Sequence, residues 1–188
     1  MTFWTDPTLE PKRGYKFILS MPGGTATNGL REFLVKSVGK PQFEVGSVSH
    51  VFLNHQFYYP GKTIWQPITA VVVDTVDPTA NATQEIMKML EESGYSLPSN
   101  PAAGGGLGTV SKNKAVNAAL GKVKIKTLDS DGTIIEEWVL NNAFLQRAEF
   151  GELSYDNEEL LNVTLTIQYD NAFINVLNGE GTIPAASS

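Results

Sequence analysis

His50 and His55 are the only imidazoles in the chain, and so the first place to look for metal or acid–base chemistry. Five residues apart on one strand, they should point to opposite faces, and no third ligand accompanies them, so a shared metal site is not expected. Cysteine is absent, which removes thiolate zinc sites, cysteine nucleophiles and disulfides. Asp129-Ser130-Asp131-Gly132 has the opening of a calcium loop, but the remaining loop positions fail and the flanks read as strands, so a tight hairpin turn is expected. Gly24 to Gly29 has the glycine spacing of a phosphate loop. It is followed by Leu30 and Arg31, where a lysine and a hydroxyl are needed. Gly104 to Gly108 lacks the strand-then-helix setting of a dinucleotide site.

The adjacent acids Glu136-Glu137 and Glu158-Glu159 diverge if they lie on strands, and solvated charge is the expectation for both. A glycosidase would need two carboxylates meeting across a cleft. Asn81-Ala82-Thr83 and Asn162-Val163-Thr164 match glycosylation acceptors, without a secretory signal to give them meaning. No nucleophile–base pair, ligand cluster or phosphate loop is present. Catalysis is therefore not expected, no metal or cofactor is implied, and a structural or binding role is the default.

The frame that would position these residues is ordinary and globular. The chain has 188 residues, 41% hydrophobic and 18% charged, which suits one domain with a substantial core. No apolar run is long enough to span a membrane. Residues 1–13 lack the order of a signal peptide, so synthesis and retention in a cytoplasm are expected. The net charge of −6 argues against phosphate gripping over the whole surface. Charge is uneven: five lysines and no acids lie between Lys112 and Lys126, while nine acids face Arg147 alone between Asp129 and Glu159. Solvated faces, or complementary patches between copies of the subunit, would both account for it.

Residues 1–13, with Trp4, Pro7 and Pro11, read as an extended arm, either docked on a neighbour or disordered. Gly14 to Met21 alternates as a strand and Glu32 to Val38 reads as a second. Phe43 to Tyr59 reads as two strands or a long hairpin. Its Phe43, Val45, Val48, Val51, Phe52, Phe57, Tyr58 and Tyr59 do not alternate cleanly, so another chain is expected to cover part of it. Trp65 to Thr75 is a β-branched central strand, with Pro67 suggesting an edge at its start. Asn81 with Gln84 predicts a helix cap, Ile86, Met89 and Leu90 an apolar stripe, and Gly94 the stop. Residues 95–111 form a long glycine-rich loop, and Ala115 to Leu120 a short helix. Lys122 to Leu128 and Thr133 to Leu140 make the clearest hairpin, and Leu161 to Tyr169 the cleanest strand. Residues 175–188 read as a flexible tail. The fold class is mainly β with one flanking helix: an antiparallel sheet of six or seven strands folded into a small barrel or sandwich. The body spans residues 14–175, between an arm (1–13) and a tail (176–188).

The ordered set of stretches resembles the tube proteins of contractile phage tails. It comprises Gly14 to Leu19, Phe33 to Pro41, the long hairpin, Tyr59 to Trp65, the strand at Ile68 to Asp74 and the helix at Thr83 to Ser93. Then follow Lys124 to Gly132, Glu137 to Phe144, Glu152 to Asp156 and Leu161 to Tyr169. The resemblance covers roughly residues 14–172. It implies six copies in a ring, rings stacked inside a sheath between a baseplate and a terminator, and strands lining a lumen that conducts viral DNA without binding it. It places the protein in the virion, with no membrane partner. It also makes Trp4, Phe43, Val45, Val48, Val51, Phe57 and Tyr59 the candidates for contact between subunits or rings. An acidic lumen that repels DNA is the expectation drawn from the net charge. Other injection machines (bacteriocin particles, extracellular injection systems, type six secretion tubes) and a monomeric β-barrel binding module are the competing readings.

Overall fold

The computed structural model describes residues 11–23, 30, 32–77, 80–96, 108–156 and 158–176. Ten strands are present: β1 (Phe17–Ser20), β2 (Val35–Val38), β3 (Gln42–Phe52), β4 (His55–Gln66), β5 (Ile68–Val73), β6 (Val123–Leu128), β7 (Ile134–Asn141), β8 (Phe144–Glu149), β9 (Asn162–Gln168) and β10 (Asn171–Val176). Helix α1 (Ala82–Glu92) and a short π-wound helix α2 (Lys114–Leu120) accompany them.

Alternation of apolar and polar residues puts one face of each main strand in the interior. Val123, Ile125 and Thr127 of β6 are buried, as are Ile68, Ala70 and Val72 of β5 and Val163, Leu165 and Ile167 of β9. One sheet has the order β1-β6-β7-β10 and the other β2-β5-β9-β8, every pair antiparallel. Their inner faces share a single apolar core, a sandwich; among the described residues no hydrogen-bonded barrel closes. Ala82, Ile86 and Met89 of α1 and Ala119 and Leu120 of α2 complete that core. Among the described residues β3 and β4 pair only with each other.

Helix α1 begins where Asn81 Oδ1 accepts from the Gln84 N–H at 2.7 Å, as the cap pattern predicts. Asp74, at the end of β5, adds a second cap: Oδ1 accepts from the N–H groups of Thr75 (2.9 Å), Ala82 (3.0 Å) and Thr83 (3.3 Å), and Oδ2 from the Thr83 hydroxyl (2.6 Å). Burial would raise this carboxyl, but its four hydrogen bonds hold it below the ordinary value. Gly94 follows the helix with φ of 108°. Gly121, φ 71°, ends α2 where a Cβ would lie 2.2 Å from the Gly23 carbonyl oxygen, so only glycine lets the two backbones meet.

Several expectations need correction. Glu32–Leu34 is a 3₁₀ turn, so the second strand starts only at Val35. Pro67 falls between β4 and β5, outside both ladders, and β5 is interior rather than an edge. Asn175 and Val176 pair with Glu137 and Glu136 as the end of β10, not as tail. Trp4, Gly24 to Gly29, most of the loop 95–111 and residues 177–188 lie outside the described residues.

Replacing Asp74 with alanine strips acceptors from two helical amides and one hydroxyl. It should cost about 1–2 kcal/mol in urea unfolding followed by tryptophan fluorescence, with an unchanged strand signature in the far-ultraviolet spectrum.

Candidate functional site

The β3–β4 hairpin is the feature the core does not explain. Phe43, Val45, Val48, Val51, Phe57 and Tyr59, the candidates read from sequence, all lie on it and are all exposed. Phe52, Leu53, Tyr58 and Ile64 stand exposed beside them. Isolated apolar residues in water are unremarkable, but a contiguous ribbon of them marks an interaction surface.

Cross-strand register sorts the ribbon. Val48 opposes Tyr59, His50 opposes Phe57 and Phe52 opposes His55, on one face; Ser49 opposes Tyr58 and Val51 opposes Gln56 on the other. The ladder slips between Val45 and Ser47, a bulge that puts an extra residue into β4. His50 and His55 therefore share a face as diagonal neighbours, which corrects the opposite-face expectation: the chain turns back at Leu53-Asn54 instead of continuing as one strand. Among the described residues no cluster of three or more potential metal ligands exists.

At the tip, Leu53 has φ of 55° and is 80% exposed. A leucine in the left-handed region is strained, and the turn would ordinarily take glycine or asparagine there. Sequence reading missed Leu53; the usable signal was a Leu-Asn pair where a hairpin turn calls for a flexible residue.

The hairpin's base is tied to the body by aromatic contact. The Phe43 ring lies 5.4 Å from Trp65, and Trp65 lies 6.0 Å from the buried Tyr169 at the end of β9. Burial pushes the Tyr169 phenol above its ordinary value. Close by in sequence, Lys40 leads into β3 and donates to Glu136 Oε1 at 2.8 Å; Trp138 Nε1 donates to the same oxygen at 2.7 Å and Lys12 donates to Oε2. Glu136 is thus buried on the inner face of β7, not solvated as expected, while Glu137 points outward and meets Lys124 at 3.2 Å. Burial alone would raise the Glu136 carboxyl, yet the donors from Lys12, Lys40 and Trp138 bring it down to about 2.

Charge on the outer sheet faces is nearly balanced. By register, one face presents Lys124, Lys126 and Glu137, and the other Arg147 and Glu149. Free of either ladder, the loop 150–161 carries Glu152, Asp156 and Glu158, all exposed. By register, neither set of ladder side chains is predominantly acidic.

No family model matches this sequence, and no curated protein matches it either. The fold is shared with solved structures. A chain of the six-fold-symmetrised anti-feeding prophage baseplate superposes with a TM-score of 0.64 at 12% identity, over 90% of this chain and 98% of that one. The tube-terminating cap of the same particle gives 0.60 at 18%, over 89% and 93%. A chain of the PVC extracellular contractile injection system, from its sheath–tube complex in the extended state, gives 0.60 at 15%, over 92% and 99%. The chain has the fold of the tube, cap and baseplate components of contractile injection systems.

Glu136→Gln should lower stability at pH 7 by about 2 kcal/mol. The folded carboxyl sits near 2 against an ordinary 4.5, so its contribution is complete above pH 4.5 and is lost as pH falls toward 2. The gap between wild type and variant, measured by urea unfolding from pH 6 to pH 3, should narrow on acidification. Trp65→Ala should cost about 2–3 kcal/mol and raise amide exchange throughout β3 and β4.

Proposed function

We propose that the chain is the major tube subunit of a contractile tail, forming hexameric rings that stack into a hollow conduit for DNA during ejection. One observation carries the reading: the fold shared with injection-system components over about nine-tenths of the chain is joined to a long apolar hairpin that its own core leaves in water. Self-association would bury that ribbon. Each 100 Å² of apolar surface removed from water contributes about 2.5 kcal/mol, and a ring multiplies the gain by the number of contacts.

In this reading the body spans residues 14–175 between an arm that includes Trp4 and a C-terminal tail. The sheath, baseplate and tail terminator are the partners, and no cofactor is used. Catalysis has no place in the mechanism. The near-neutral outer sheet faces suit a conduit that must not hold its cargo: DNA passes because few cations grip phosphate, rather than because an acid wall repels it. The likeness to an extracellular injection system favours a second reading, the same tube in a particle that carries a different cargo. The nucleic-acid content of purified particles separates the two.

Negative-stain microscopy with light scattering on purified protein should show six-fold rings or tubes with a mass of at least about six times the 20.4 kDa of one chain. The variant Phe57→Ser/Tyr59→Ser should stay monomeric under the same conditions. Because both side chains are exposed, its unfolding free energy should remain within about 0.5 kcal/mol of wild type. A wild-type protein that stays monomeric at millimolar concentration, even with a baseplate template, would contradict the proposal.

A further inference from the structure

A second candidate surface lies off the hairpin itself, beside its base. β1 and β2 are each the edge of a different sheet, and between them runs an open groove of about 1040 Å³. Its apolar floor includes Phe17, Val35, Val38 and Ile125. Around it stand five cations, Lys12, Arg13, Lys16, Lys36 and Lys40. Among the described residues the acids near them are Glu32, which lines the groove, and the buried Glu136 that Lys12 and Lys40 hold, while Lys16 donates to the Asp129 and Ser130 carbonyls. Each edge strand also offers one unpaired row of backbone donors and acceptors.

The complementary shape is in the same chain. After β8 the backbone leaves the sheet as Gly151-Glu152-Leu153-Ser154-Tyr155-Asp156, with no ladder partner. Leu153 is 85% exposed and Tyr155 fully exposed, with Glu152 and Asp156 flanking them. Two large apolar side chains alternate with acids on an exposed segment, while among the described residues no segment fills the apolar groove and its cationic rim.

We propose that the groove between β1 and β2 receives the 151–156 segment of a second copy, Leu153 and Tyr155 entering toward the floor while Glu152 and Asp156 meet the lysine rim. This deepens the tube reading, on which it rests, by assigning the contact between neighbouring subunits. Groove and segment are different patches of one chain, so the contact is head-to-tail and repeats until a ring closes. Its charge pairing sets register and orientation more than affinity. It also gives a physical use to the exposed acids at Glu152 and Asp156 of the acid-rich stretch.

The chain has no cysteine, so engineered thiols report cleanly. Ser37 lines the groove and Ser154 lies on the segment, both exposed, and Ser→Cys is nearly isosteric. Oxidised S37C/S154C should give a covalent ladder of multimers on non-reducing gels, and a mixture of the two single variants should give covalent dimers only. Lys36→Glu should weaken ring formation at least tenfold in concentration dependence, and Glu152→Lys added to it should restore much of the loss. Rings visible by microscopy without a ladder would overturn this contact while leaving the tube reading intact. A faster-migrating, internally linked monomer would overturn it in favour of the segment closing on its own groove. Absence of both rings and cross-links would overturn the tube reading and this contact together.

Discussion

Two long strands paired only with each other, and coated on both faces with apolar side chains, set the terms for the rest of this molecule. A two-stranded ribbon has no layer to bury its side chains against and is marginal by itself. Here it carries phenylalanine, tyrosine, valine and leucine outward into water. An apolar ribbon of this kind gains stability when another surface covers it. Its base is joined to the two-sheet core through ring contacts and a buried carboxylate.

That junction is local and chemical. The Phe43–Trp65–Tyr169 chain of rings carries the hairpin's base into the sandwich, and the buried Glu136 gathers donors from residue 12, residue 40 and Trp138. An ionised carboxylate in an apolar interior is unfavourable unless it is fully met by donors. Once met, it specifies where the approach to β1, the approach to β3 and strand β7 must sit relative to one another. The hairpin leaves the body beside this node, so its direction is fixed by hydrogen bonds while its surface remains free for assembly.

Much of this was legible in the sequence, and the failures have identifiable causes. β9, the β6–β7 hairpin and α1 with its Asn81 cap all showed regular periodicity or a specific turn chemistry, and the exposed ribbon showed itself by an excess of apolar residues without alternation. β8 and β10 were missed because Phe144 to Glu149 and Asn171 to Val176 do not alternate cleanly: one is an edge strand with a bulge between Leu145 and Arg147, the other an edge with half-buried residues in succession. The two histidines were misplaced because a turn built on Leu53-Asn54 carries no glycine to announce it. Glu136 was read as solvated because pairing it with Lys12 and Lys40 spans more than ninety residues, and no local pattern encodes that. The ribbon's unusual mixing of apolar and polar residues was visible from the start, and it puts apolar side chains on both faces of the ladder.

The measurement that bears most directly on the central claim is hydrogen exchange by mass spectrometry, comparing residues 42–66 in assembled particles with the same residues in the monomeric Phe57→Ser/Tyr59→Ser variant. The account predicts that the hairpin exchanges quickly in the monomer and becomes strongly protected in the particle, with core strands β5 and β9 protected in both. A hairpin that exchanges as fast in the particle as in the monomer would show that assembly leaves it in water, and the account would be wrong.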